Sequence, residues 1–158
     1  MIKTFRGTFN ETDNSDATTI ANTVERIYLA GGDANTGFKI RDIRILPERP
    51  ITDSNEAVVK LYSSMPTTSA QVGNEINFKD SALAAVAMWS NRDDSTYYPD
   101  DLTLVIDHEM MFTQDLYLTY NNPSTSGRFM NYIITLEEVK IKDSELAVVN
   151  YSQALLNE

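Results

Sequence analysis

The stretch from Phe129 to Ile141, Phe-Met-Asn-Tyr-Ile-Ile-Thr-Leu-Glu-Glu-Val-Lys-Ile, is the longest run of strand-forming residues in the chain and sets its architecture. At about 3.3 Å per residue it would span roughly 40 Å, about twice a usual strand. Met130, Tyr132, Ile134 and Leu136 fall on one face of an extended chain, Val139 and Ile141 on the other. The apolar phase therefore changes at Glu137-Glu138. A bulge, or a strand passing from one sheet to another, accounts for both the length and the change. We expect a central strand in a two-layer structure.

Other segments behave alike. Ile2 to Phe9 alternates, with Phe5 and Phe9 on the side of Lys3, and Thr4, Arg6 and Thr8 opposite. Phe38 to Leu46 repeats the phase change, with Phe38 and Ile40 on one parity, Ile43 and Ile45 on the other, and the break at Arg41-Asp42. Glu56 to Ser63 places Val58, Lys60 and Tyr62 opposite Val59 and Leu61. Ser81 to Ser90 has helical propensity in its alanines, but Leu83, Ala85, Ala87 and Trp89 alternate with Ala84, Val86 and Met88, as in a strand buried on both faces. Leu102 to Ile106 and Gln114 to Asn121 supply two more strands, and Ile76 with Phe78 a brief alternating pair.

The Gly31-Gly32 turn region suggests a hairpin between the strands at Val24 to Leu29 and Phe38 to Leu46. The polar turn at Asn122 to Gly127 suggests another, between Gln114 to Asn121 and the central strand. Asp143 or Ser144 can cap a short C-terminal helix over Leu146, Val148, Val149, Tyr151, Leu155 and Leu156. The expected fold is all-β: an antiparallel β-sandwich of jelly-roll type with about eight strands and a short C-terminal helix, one domain over residues 1–158.

Charge and composition exclude several functions. The formal net charge is −10, from 23 Asp and Glu against 13 Lys and Arg, the wrong sign for direct nucleic-acid binding through phosphates. With no Cys, disulfides and thiolate sites are out, and stability must come from packing or assembly. The amino terminus lacks the apolar core of a signal peptide, and no apolar run reaches membrane-spanning length, so neither cleaved export nor a membrane span is expected.

The candidate sites are weak. The single His108, in Asp107-His-Glu109, lacks the second His of a zincin helix, and no Gly-x-Ser-x-Gly elbow accompanies it. A metal-dependent hydrolase centred on His108 is therefore a minor reading beside an exposed or structurally bonded histidine. Asp93, Asp94, Asp100 and Asp101 could gather oxygen ligands for calcium, but without EF-hand spacing they read as solvated loop charge. Glu137 and Glu138 point to opposite faces of a strand and cannot form a catalytic couple. Trp89, Tyr97 and Tyr98 form the one grouping suited to stacking on a sugar, although Trp89 lies in the most apolar segment, where core packing is the better reading. No catalytic, cofactor or metal residues are assigned.

Phe5-Arg-Gly-Thr-Phe9, Gly37-Phe-Lys-Ile-Arg-Asp-Ile-Arg-Ile45, Asp115-Leu-Tyr-Leu-Thr-Tyr120 and Asn131-Tyr-Ile-Ile-Thr-Leu-Glu-Glu-Val-Lys140 together resemble small β-rich virion proteins of marine tailed phages. The last two blocks, with the polar turn between them and the terminal helix after them, carry most of the likeness. The resemblance implies a non-enzymatic virion structural protein, a capsid decoration or cement protein at the capsid surface. Its partners would be the major capsid protein or other virion proteins and its own copies, with no cofactor; coat, turret, spike and tail roles are compatible with it. The alternative from another class is a carbohydrate-binding sandwich using Tyr97, Tyr98 and Trp89.

Overall fold

The computed structural model describes residues 1–10, 24–29, 35–48, 55–91, 101–122 and 129–142, with 147, 148, 151 and 155 singly. Eight strands lie among them: β1 (Ile2–Asn10), β2 (Val24–Ile27), β3 (Thr36–Pro47), β4 (Asn55–Tyr62), β5 (Leu83–Asn91), β6 (Asp101–Ile106), β7 (Leu116–Asn121) and β8 (Phe129–Lys140). They form two sheets, ordered β1-β8-β3 and β2-β7-β4-β5-β6, with every pairing antiparallel. This is the expected all-β sandwich, with β8 central in the smaller sheet. A jelly roll divides eight strands into two sheets of four. Here the division is three and five, because β6 pairs with β5. On the flank of β3 the described residues form one bridge, Phe38 to Phe112, with two backbone hydrogen bonds of 2.8 Å.

Alternation builds the interior. Phe5, Phe9, Met130, Tyr132, Ile134, Leu136, Phe38, Ile40, Ile43 and Ile45 face inward from the smaller sheet, against Val59, Leu61, Ala85, Ala87, Leu116, Leu118 and Tyr120 of the larger one. The phase change in β3 has a single cause. Ile40 opposes Leu136 while Asp42 opposes Thr135, so Arg41 is an extra, bulged residue. It lets both apolar halves of β3 face the core. The bulge or sheet crossing expected in β8 does not occur: β8 keeps an unbroken register with β1 from Phe129 to Glu137 and stays in one sheet, while Ile141, just past its end, is buried on the side of Gly37. Glu138 continues the inward parity of Leu136 at the rim of the sandwich, where Lys3 pairs with it at 3.5 Å.

Neither expected hairpin forms. β2 pairs with β7 and β3 with β8, and β7 and β8 lie in different sheets, so both connections cross between layers. A turn-rich connection bounds two strands without saying which sheet each joins. The Gly31-Gly32 turn itself, the 92–100 loop and the cap at Asp143 or Ser144 lie outside the described residues. Residues 147, 148, 151 and 155 are helical and exposed.

β5 is buried on both faces, as its sequence suggests. A second register shift, between Leu61 and Tyr62, leaves Ala84 unpaired and turns Leu83 away from Ala85. Leu83 therefore joins a separate cluster with Val58, Tyr62, Ala82 and Val86, on the outer side of the larger sheet.

One close approach ties the layers together. Gly7 opposes Tyr132, whose ring leans over it and hydrogen-bonds Glu25 of β2 across the sandwich. A Cβ on Gly7 would meet the Tyr132 hydroxyl at 2.5 Å and Cζ at 2.8 Å. We predict that Gly7→Ala destabilises the protein by about 1–3 kcal/mol in denaturant titration. The same change in a Tyr132→Ala background should cost much less; equal cost in both would disprove the steric origin.

Candidate functional site

Among the residues singled out from sequence, the structure brings together few. Trp89 is half-buried and packs against the main core, and its indole Nε1–H has no hydrogen-bond partner. Tyr97 and Tyr98 lie outside the described residues, as do Asp93, Asp94 and Asp100. His108 is exposed, with Nδ1 3.3 Å from the Ile40 carbonyl oxygen. Its neighbour Asp107 turns back to accept from the Glu109 and Met110 amides. Glu137 and Glu138 do point apart, Glu137 to Arg41 on the outer face and Glu138 to Lys3. No group of three or more His, Asp or Glu is placed to hold a metal among the described residues. No helix among them is long and apolar enough to cross a membrane.

Two features that sequence reasoning did not single out dominate instead. The first lies on the outer side of the larger sheet. Residues 63–82, with the short helix α1 (Ser69–Val72), run back over Lys60, Tyr62 and Thr119 as a strap, and Ala82 joins the outer cluster of Val58, Tyr62, Leu83 and Val86. Thr68 caps α1 while Gln71 accepts from the Thr67 and Thr68 amides and donates to Asp80. Beneath the strap Lys60 is fully buried, its Nζ donating to the carbonyls of Ala70 at 3.0 Å and Glu75 at 2.7 Å. Tyr62 and Thr119 both donate to the Gln71 carbonyl.

A cavity of about 330 Å³ opens in the strap, lined by Tyr62, Thr68, Gln71, Glu75, Asn77 and Asp80 among others. Its central polar groups already serve the strap: Asp80 accepts from Gln71 and from the Ala82 amide, and Asn77 from the Lys79 amide. The arrangement fastens a covering segment. The Lys60 ammonium points at backbone oxygens under that cover, which is no place for a nucleophile to meet substrate. A Lys between Val58 and Tyr62 on one strand face was the signal in the sequence.

The second feature is the outer face of β1-β8-β3. Directly opposed residues share a face, which sets Arg6, Ile133 and Arg44 in one row across the three strands. Thr4, Thr135 and Asp42 form the row on one side of it, and Thr8, Asn131 and Leu46 the row on the other. Beyond the first of these, Lys39, Glu137 and the bulged Arg41 complete the face. It is open to solvent: Ile133 is 43% exposed, Leu46 48% and Ile2 59%. Asp42 pairs with Arg44 at 2.6 Å and Glu137 with Arg41. Glu109 pairs with Lys39 at 3.5 Å. Four Lys and Arg thus stand against three acids in a chain of 13 bases and 23 acids, leaving 9 bases and 20 acids elsewhere.

No protein-family model matches the chain. No curated protein matches it either. Among solved structures it is similar to the core of Drosophila NLP, a structure described as giving insight into that protein's pentamer formation and histone binding. The identity is 13%, covering 90% of this chain and 99% of that one, with a TM-score of 0.40. Superposition at that level leaves the fold to rest on the strand pairings themselves.

Lys60 gives the fold a pH signature. Burial holds its pKa down to about 8 from an ordinary 10.5, against the opposing pull of Glu75 and Asp80. Below about pH 8 the amine is charged whether folded or not, and the full burial cost applies. From there up to 10.5 the unfolded chain holds a proton that the folded one has released, so stability rises with pH. Burial raises Tyr62 and Tyr132 well above their ordinary 10.0, with Asp80 and Glu25 adding to it, so these groups reverse the trend above pH 10. We predict that the wild-type midpoint of thermal unfolding, taken relative to that of Lys60→Met, climbs from about pH 8 towards 10. A constant difference across that window would show that Lys60 keeps its proton.

Proposed function

We propose that this chain is a non-enzymatic virion structural protein of the capsid decoration or cement kind. It binds the major capsid protein or another virion protein at the capsid surface and associates with its own copies. The observation that carries this reading is the inequality of the two sheets. On the larger sheet the strap is bonded over Lys60, Tyr62 and Thr119 of β4 and β7, whereas the outer face of the smaller one leaves Ile2, Ile133 and Leu46 open among charged side chains. Open apolar area rimmed by polar groups is the mark of a contact surface. The virion assignment follows from the resemblance carried by Asp115 to Tyr120 and Asn131 to Lys140.

No cluster with the geometry of a nucleophile and its base lies among the described residues, and the strap cavity is occupied with holding the strap. Trp89 sits against the core, away from any stacking platform the described residues form. The reading predicts that quantitative mass spectrometry of purified particles of the encoding phage recovers this protein in many copies. Limited proteolysis of intact particles should cleave it before the shell protein, as expected for an outer component. Its absence from particles overturns the proposal.

A further inference from the structure

The contact-protein reading leaves the partner open, and taking that reading as premise, two surfaces of the molecule suggest one. The outer face of β1-β8-β3 offers Ile133 and Leu46 among Arg6, Arg41 and Arg44. On the opposite side of the sandwich, the strap presents Phe78, 69% exposed, and Ile76, 37% exposed, on a turn that carries Glu75, Lys79 and Asp80 and so a net negative charge. One surface is apolar with a net excess of base, the other apolar with a net excess of acid. We infer that a second copy of this chain seats its strap, through Phe78 and Ile76, on the open face of the smaller sheet.

Charge decides the symmetry of this contact. A two-fold pairing of the open face with itself would set Arg6 and the ion-paired Arg41, Arg44 and Lys39 against the same four residues, two surfaces of the same net sign, which is unfavourable across an interface. The rest of the chain carries 20 acids against 9 bases, so the complement to the face lies elsewhere on a copy. A head-to-tail contact follows, of the kind that generates rings or open stacks. Size decides its strength. Three strands about 4.8 Å apart, each extended over some nine residues, present a face of roughly 400 to 450 Å². That is about half of what each partner buries in a standard stable interface. The contact is therefore weak for one pair and becomes firm where several copies are held together.

Sedimentation velocity across protein and salt concentration tests the inference. The wild type should associate with rising concentration, less so at high salt. Arg6→Glu/Arg44→Glu and Phe78→Ser should each weaken association about tenfold or more, as removal of an interface anchor does. Both change exposed side chains, and circular dichroism will confirm that they fold. An equimolar mixture is decisive, because the first variant keeps its strap and the second keeps its face. The mixture should form a pair and stop there. A wild type that remains monomeric, either variant associating like the wild type, or a mixture that stays monomeric overturns the head-to-tail contact. A monomeric wild type that is still recovered from particles refutes the self-contact and leaves the virion role standing. Association through these two surfaces in a chain absent from particles does the reverse.

Discussion

The buried ammonium of Lys60 decides which side of this sandwich meets the solvent. A charge removed from water without partners is costly, and two backbone carbonyls of the strap, from Ala70 and Glu75, are what make the site tolerable. The bond works in both directions. It satisfies the lysine, and it pins residues 63–82 over the part of the larger sheet that carries Lys60, Tyr62 and Thr119. With the strap in place β4 and β5 at the centre of the larger sheet are buried on both sides, while Leu104 and Val105 on its β6 edge stay exposed. Tyr132 and Glu25 complement this from the inside by bonding one layer to the other. Covering and cross-linking together leave the smaller sheet as the contact side.

The sequence was informative where one residue's surroundings are set by its near neighbours along the strand. Parity alone placed Phe5 and Phe9 inward and Arg6 outward in β1, and it placed Lys60 with Val58 and Tyr62. The break at Arg41-Asp42 was visible for the same reason, since a bulge shifts the apolar phase by one. Its counterpart at Glu137-Glu138 misled, because a charged residue at the end of an inward face looks the same as a change of face. Only the Lys3 partner, 135 positions away, separates the two. The hairpins were illegible for a related reason: a turn signal describes the connection and carries no information on which layer the next strand enters. Ile76 and Phe78 alternate like a strand but belong to the strap, whose course depends on a lysine outside it. The open face could be read only once the order β1-β8-β3 was known, since Arg6, Ile133 and Arg44 are far apart in the chain and neighbours only across strands.

An open sheet face with apolar side chains is a hazard as well as an asset, because such surfaces invite indiscriminate association. The composition of this face moderates the risk. Ile133 stands between two arginines whose aliphatic stems can lie along it while their charged ends remain in water. Threonines occupy the adjoining positions of β1, and Asp42 and Glu137 hold two of the bases in place. The bulge contributes to the same balance. Inserting Arg41 into β3 keeps Phe38, Ile40, Ile43 and Ile45 all inward while adding one more charge to the outer surface. A regular strand of that length would have turned half of those apolar residues outward. The irregularity that preserves the core thus also adds a base to the exposed side, where Glu137 pairs with it, and a face of net positive charge on an otherwise acidic molecule favours a partner of the opposite sign.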